Sequence, residues 1–290
     1  MKKIATNPKL IVITGPTSSG KTDYSIKLAK KINGEIVSAD SRQVYKGINL
    51  LSGKVTKKEM SGIKHYMLDV ATPKKAYSVS DFKKQAEKAI DEIIEKGKTP
   101  ILCGGTGFYI DAVVYNRTMP EVGPNPKLRK SLEKLSKDEL YKMLYKLDRA
   151  RAKTIDRDNP VRLIRAIEIA KALGKVPKFK TSKSKYEVEW ILIDQNDDVL
   201  KQKIHDRLHA RVKQGMLREA KKLHDSGVSY KRMEDLGLEC RFASLYLQKK
   251  ITKNEMLTQL EKEIWQYVKR QRTWFRSRQK SNHVTYSKAK

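Results

Sequence analysis

Residues Gly15-Pro16-Thr17-Ser18-Ser19-Gly20-Lys21-Thr22 match the phosphate-loop pattern G-x-x-x-x-G-K-[ST] in full, and no other stretch constrains the fold as tightly. An apolar run, Leu10-Ile11-Val12-Ile13-Thr14, leads into the loop, and a segment in which Ile26, Leu28 and Ala29 can face a core follows it. A strand, a tight loop and then a helix form the setting such a loop requires. Small residues let backbone N–H groups curl around phosphate oxygens, and the following helix adds its positive end. Lys21 supplies a point charge, and Thr22 offers a hydroxyl to Mg²⁺. The sequence therefore predicts a site for a di- or triphosphate.

Such a loop names a ligand group and not a reaction. The second informative stretch is Glu35-Ile36-Val37-Ser38-Ala39-Asp40-Ser41-Arg42-Gln43-Val44-Tyr45, where a short β-like run ends at Asp40. Strand ends beside a phosphate loop line the crevice of an open α/β sheet. A carboxylate there either binds Mg²⁺ or takes a proton from a nucleophile, and spacing does not separate the two roles. Further strands are predicted at His65–Val70, Thr99–Cys103 and Tyr186–Ile193. Between the first two of these lies a helix capped by Ser80, with Phe82, Ala86, Ala89, Ile90, Ile93 and Ile94 at helical spacing. Strands alternating with helices indicate an α/β fold, a P-loop NTPase-like parallel sheet flanked by helices. Gly104-Gly105-Thr106-Gly107 follows the fourth strand. It is either a turn that needs glycine conformations or a close-approach site with the Thr106 hydroxyl in the crevice.

Pro120, Gly123, Pro124 and Pro126 interrupt the pattern, and helical segments follow at 127–135, 137–147 and 160–173. The expected organisation is a first core part at 1–118, an inserted all-helical subdomain at 119–183, and completion of the core at 184–290, ending in a basic tail. Asn159-Pro160 opens the helix that carries Arg162 and Arg165 on one face, so its N-terminus and its arginines can meet a phosphate together. A basic linker is expected at 178–185. The last long helix is predicted over 253–271, and from Ile264 onward the chain has no Asp or Glu.

A formal net charge of +30 over 290 residues implies a polyanionic partner larger than one nucleotide, with nucleic acid the first candidate. Scattered lysines alone are explained by a Lys-rich composition. Arg clusters are not, because Arg suits bidentate phosphate contact and base stacking. In Trp265 to Arg278 basic residues alternate with aromatics, a pattern that fits RNA phosphates and unstacked bases. An anionic membrane is the second candidate, but there is no apolar run near the roughly 18 residues of a spanning helix and no signal peptide. A cytoplasmic chain is expected, and a monomer, since no heptad seam is evident. Cys103 and Cys240 stand alone, without the spacing of a zinc site, and the five histidines are expected to form no ligand pair on one helix face.

Together these stretches resemble the tRNA dimethylallyltransferases from about Leu10 to Arg278. The matching landmarks are Gly15 to Thr22, Ser38 to Tyr45, Tyr77-Ser78-Val79-Ser80-Asp81-Phe82, Gly104 to Tyr109, Arg162 to Glu168, and Lys269-Arg270-Gln271-Arg272-Thr273-Trp274-Phe275. The resemblance implies a core that binds dimethylallyl diphosphate in place of ATP, with Mg²⁺, and an inserted helical domain that clamps a tRNA anticodon stem-loop. It implies Asp40 as general base, Thr106 as a positioning hydroxyl and Arg207 as a cation for the leaving diphosphate. Gly15 to Thr22 would bind the diphosphate, with Thr22 on the metal. It further implies tRNA contacts from Asp40, Ser41, Arg42, Gln43, Thr106, Arg129, Val161, Arg162, Leu163, Ile164, Arg165, Lys269, Arg270 and Arg272. Several positions depart from the family's usual pattern: Leu50-Leu51-Ser52-Gly53-Lys54, Lys64-His65, Gly237-Leu238-Glu239, Arg211 and Ile264-Trp265. Other classes compatible with the motifs are a P-loop kinase, a non-catalytic RNA-binding NTPase switch, and prenyl transfer to free adenine nucleotides.

Overall fold

The computed structural model describes residues 7–177, 183–279 and 284–288. Residues 1–6, and 178–182 of the expected linker at 178–185, lie outside them. Two compact units are present, one formed by 1–116 with 183–290, the other by 117–182.

The first unit begins with β1 (Lys9–Thr14), which is buried at every residue but Lys9. A strand apolar on both faces must be covered on both, as in a parallel sheet. After the phosphate loop come α1 (Lys21–Lys31), β2 (Gly34–Ser38), α2 (Lys57–Met60), β3 (His65–Tyr66), α3 (Val79–Glu95), β4 (Thr99–Gly104) and α4 (Gly107–Val114). Two expectations are corrected here. Helix α3 is capped by Ser78, whose hydroxyl accepts from Asp81 N–H while Asp81 reaches back, a capping box that Ser80 cannot form. Strand β3 stops at Tyr66, because Met67 and Asp69 take positive φ of 64° and 56° and turn the chain out of the sheet.

The unit at 117–182 is helical: α5 (Pro126–Leu132), α6 (Lys137–Leu147), α7 (Arg149–Ala152) and α8 (Pro160–Leu173). Asn125, Ser136, Asp148 and Asn159 cap these helices, each side chain accepting a backbone N–H. Leu132, Leu140, Leu144, Leu163, Ile164, Ile167 and Ala170 form its core. Among them sits one buried acid. Glu168 accepts Arg129 Nε and Nη2 at 2.8 Å each, Asn125 N–H at 2.8 Å and Arg165 Nη1 at 3.4 Å. Burial alone would raise its pKa; these donors, Arg129 foremost, overcome that and hold it below the ordinary value.

The chain then returns through β5 (Glu187–Asp194), α9 (Asp197–Gln214), α10 (Met216–Asp225), α11 (Tyr230–Asp235), α12 (Leu238–Leu247), α13 (Lys253–Gln279) and β6 (Val284–Lys288). The six strands lie in the order β3-β2-β4-β1-β5-β6, with every neighbouring pair parallel. Neither β6 nor the extension of α13 past Gln271 was expected from the pattern. No helix among the described residues is long and apolar enough to cross a membrane.

The burial of Leu163 and Ile164, at 0% and 8% exposure, corrects their assignment as RNA contacts: they support α8 from inside its unit. Val161 is 75% exposed on the same helix. Leu163→Ala is expected to cost about 3 kcal/mol in chemical denaturation of the full chain through the cavity it leaves. Val161→Ala is expected to stay within about 0.5 kcal/mol, and equal effects would contradict this core.

Candidate active site

The carboxyl ends of β1, β2 and β4 open into a cavity of about 440 Å³ lined by Thr17 to Thr22, Asp40, Gln43, Gly104, Gly105, Arg207, Tyr267 and Gln271. This is where open α/β sheets bind ligands. The phosphate loop turns on left-handed residues, Ser18 at φ 63° and Gly20 at φ 96°, and delivers the chain into α1. Lys21 Nζ donates to the Pro16 carbonyl at 2.6 Å, so the loop holds its own cation in place. Burial lowers the Lys21 pKa to about 8, against an opposing pull from Cys103 and Asp40. The Ser19 hydroxyl is buried and has no hydrogen-bond partner among the described residues. A buried polar group of this kind awaits an acceptor, donor or ion.

Asp40 stands two residues beyond β2. Its Oδ1 accepts Arg42 N–H at 2.8 Å and Gln43 N–H at 3.3 Å, which fixes the carboxylate, and no described residue bonds Oδ2. Thr106 ties this segment to β4: its N–H donates to Ala39 O at 3.1 Å, and its Oγ1 accepts Ser41 N–H at 3.0 Å. Thr106 thus grips the backbone beside Asp40 and is absent from the cavity lining. The question of the Gly-rich turn is settled sterically. A Cβ on Gly104 would overlap the Ala39 backbone, and one on Gly107 would overlap the Trp274 ring.

Arg207, from α9, reaches the loop and donates from Nη1 to Ser18 Oγ at 3.3 Å. Desolvation and then the neighbouring Arg211 lower its pKa from the ordinary guanidinium value. Arg211 is itself balanced by Glu239, at 3.2 Å, and donates to Leu50 O at 3.2 Å. Glu219 accepts the N–H groups of Asn49, Leu50 and Leu51 at 2.9 to 3.0 Å. The departures at Leu50, Arg211 and Glu239 therefore meet at one guanidinium, which bonds both the Leu50 carbonyl and the Glu239 carboxylate.

Two cavity residues on α13 escaped the sequence. Gln271, 6% exposed, accepts Thr17 N–H at 2.9 Å and donates to Gly105 O at 2.9 Å, joining the phosphate loop to the turn after β4. Tyr267 lies one turn earlier on the same face. Burial pushes its pKa up to about 12. Their spacing of four residues puts them on one helix face. The Arg272 side chain is 16% exposed and pairs with Asp194 at 2.9 Å and Asp197 at 2.6 Å, so it fastens α13 to the end of β5. Lys269 and Arg270 are exposed. Arg42 donates to Asp235 O at 3.0 Å, within the unit that holds the cavity. Arg129, Arg162 and Arg165 belong to the helical unit; Arg129 and Arg165 hold Glu168, and Arg162 meets Asp156 at 3.3 Å. The histidine expectation also needs correction, since His205 and His209 share one face of α9, their rings 4.2 Å apart.

Comparison with known proteins gives a consistent result. Residues 43–278 match the IPP transferase family. The chain is 38% identical to tRNA dimethylallyltransferase 2 of Treponema denticola over 93% of its own length and 92% of that protein's. It is 37% identical to the tRNA dimethylallyltransferase of Anoxybacillus flavithermus, over 93% and 88%. Among solved structures it is similar to the full-length tRNA isopentenylpyrophosphate transferase of Bacillus halodurans, with TM-score 0.71 and 35% identity over 97% of this chain and 89% of that one. A eukaryotic dimethylallyltransferase, solved acting on tRNA, gives TM-score 0.82 and 26% identity over 97% and 74%. This set of relatives favours prenyl transfer over phosphoryl transfer. The chain belongs to the IPP transferase family, the enzymes named tRNA dimethylallyltransferases.

Proposed function

We propose that this enzyme transfers the dimethylallyl group of dimethylallyl diphosphate to N6 of adenosine 37 in tRNAs that read codons starting with U, releasing pyrophosphate. The observation that carries the proposal is one cavity holding a carboxylate with a free oxygen, Asp40, opposite two cations, Lys21 and Arg207. The phosphate-loop N–H groups, Lys21 and Arg207 hold the diphosphate and take up its charge as it leaves. N6 attacks the allylic carbon, the carbon–oxygen bond breaks with its electron pair passing to pyrophosphate, and the N6 proton passes to Asp40 Oδ2. An exocyclic amine is a weak nucleophile, so a positioned base is worth on the order of 10²- to 10⁴-fold. Thr106 contributes by fixing the Ser41 backbone and hence the Asp40 carboxylate. The Thr22 hydroxyl and the unpartnered Ser19 hydroxyl fit an oxygen-ligated cation, and Mg²⁺ held there would further neutralise the diphosphate.

The tRNA partner is supported by the net charge of +30 and by exposed basic residues. Arg42 and Gln43 beside the base, Val161 and Arg162 on the helical unit, and Lys269 and Arg270 on α13 form the proposed contact set, with the helical unit as clamp on the anticodon stem-loop. The adenine leaves its stack at a cost of a few kcal/mol that backbone contacts offset. The enzyme is proposed to act as a cytoplasmic monomer.

The direct test is incubation with unmodified tRNA bearing adenosines 36 and 37, dimethylallyl diphosphate and Mg²⁺, with nucleoside mass analysis. Gain of one isopentenyl group at adenosine 37 is expected; ATP consumption without modification would replace the proposal with a kinase. Asp40→Asn is expected to lower kcat/KM by at least about 100-fold with tRNA affinity unchanged. Near-normal turnover in that variant would remove Asp40 as the base.

A pH titration of pyrophosphate binding probes Lys21. Its free-state pKa is lowered to about 8, and a bound anion must raise it, so binding takes up a proton above that pH. Affinity is expected to fall as pH rises past about 8, more steeply than in Lys21→Arg, which stays charged and reports the ligand's own ionisation. Identical profiles would refute this role. On the RNA side, Lys269→Ala with Arg270→Ala is expected to flatten the salt dependence of tRNA binding by about one to two in slope. Arg272→Ala is instead expected to lower the melting temperature, because Asp194 and Asp197 lose their partner. A double variant with an unaltered salt slope would take α13 out of the tRNA interface.

A further inference from the structure

Helices α9 and α13 meet along a regular stripe. On α9, Asp197, Lys201, His205 and His209 recur every four residues and so share one face. Asp197 pairs with Arg272 at 2.6 Å, Lys201 Nζ lies 5.3 Å from the centre of the Trp265 ring, and both histidines meet Glu261. The first two steps are ordinary side-chain pairs. The third differs in kind, since one carboxylate oxygen faces two imidazoles. Glu261 Oε1 lies 2.9 Å from His205 Nδ1 and 3.3 Å from His209 Nε2, and all three donor atoms fall within 4.8 Å of one another.

Both imidazoles turn a ring nitrogen toward the same carboxylate oxygen, with ring centres 4.2 Å apart. One divalent ion can engage both nitrogens and the oxygen at once. Metal–ligand bonds of about 2.0 to 2.2 Å in a tetrahedron place ligand atoms about 3.3 to 3.6 Å apart, a spacing that the two carboxylate–imidazole distances of 2.9 and 3.3 Å reach by small side-chain shifts. Two imidazoles with one carboxylate suit zinc, cobalt or nickel, whereas Mg²⁺ and Ca²⁺ prefer oxygen alone. The histidines are half exposed, at 50% and 46%, which gives an ion an entry path and leaves a coordination position for water. Lys201, the nearest cation on the stripe, is drawn onto Trp265 and Asp198 and away from the pair.

We propose that His205, His209 and Glu261 bind one divalent transition-metal ion of the zinc class, separate from the oxygen-donor site at the phosphate loop, and that the ion fastens α9 to α13. These two helices carry Arg207 and Gln271 to the cavity, and Arg207 lies in sequence between the two histidines. The ion therefore braces the wall that meets the diphosphate. It takes no part in bond making.

The test uses untagged full-length protein stripped with chelator and titrated with Co²⁺ or Zn²⁺ alone, followed by calorimetry, visible absorption and thermal melting. One ion per chain is expected, with a cobalt spectrum of nitrogen and oxygen ligation and no thiolate charge-transfer band, which excludes Cys103 and Cys240. His209→Gln and Glu261→Gln are each expected to bind at least about tenfold more weakly. Zn²⁺ is expected to raise the melting temperature of the parent and not of these variants, whose metal-free melting stays at the parent value. Equal affinity in parent and variants, a thiolate band, or no binding by the parent would overturn the site and leave a hydrogen-bonded cluster of His205, His209 and Glu261 in its place. Each readout is independent of prenyl transfer.

Discussion

A buried glutamine joins the two loops on which the site depends. Gln271 accepts Thr17 N–H on its side-chain carbonyl and donates its amide N–H to Gly105 O, so the phosphate loop and the turn after β4 keep a fixed spacing. Behind that bridge the ends of β2 and β4 touch backbone to backbone at Ala39 and Gly104, a contact open only to glycine. Asp40 inherits its position from both. The base proposed at Asp40 is useful only if its geometry is settled before the substrate arrives, and backbone donors with a threonine hydroxyl fix this carboxylate.

Electrostatics around the cavity follow from the same economy. Two cations, Lys21 and Arg207, face one space in a low-dielectric setting, and both have lowered pKa values in consequence. Their mutual repulsion is part of the affinity for an anion, since a diphosphate relieves it. Arg211 would add a third charge to this wall but is neutralised by Glu239. Changing either residue alone would leave an unpaired charge in a partly buried place, and Arg211 together with Glu219 holds the loop at Asn49 to Leu51.

Local chemistry made much of this legible in the sequence. The strand, loop and helix around Gly15 to Thr22 follow from glycine placement and an apolar run, and α8 follows from Asn159-Pro160 at its start and Gly174 at its end. The N-terminus of α3 was misplaced between two serines, although the Ser78 to Asp81 spacing already favoured the first. Strand β3 ended early because of two left-handed residues, Met67 and Asp69, which carry no glycine to announce them. What the sequence concealed is long-range. Arg272 looked like an RNA contact because its partner Asp194 lies 78 residues away, and Gln271 meets Thr17 across 254. Leu163 and Ile164 were assigned by motif, whereas the helix face decides which residues can reach a ligand.

Helix α13 carries these ties within a few residues of Lys269 and Arg270. One rigid body thus touches the phosphate loop on one side and presents cations outward on the other. Any preference of a polyanion for one setting of that helix is then a preference among phosphate-loop geometries as well. Thermodynamic reciprocity requires the two ligands to change each other's affinity by the same factor. With the proposed ligands on both sides, a helix that is at once a wall and a handle would make them report on each other.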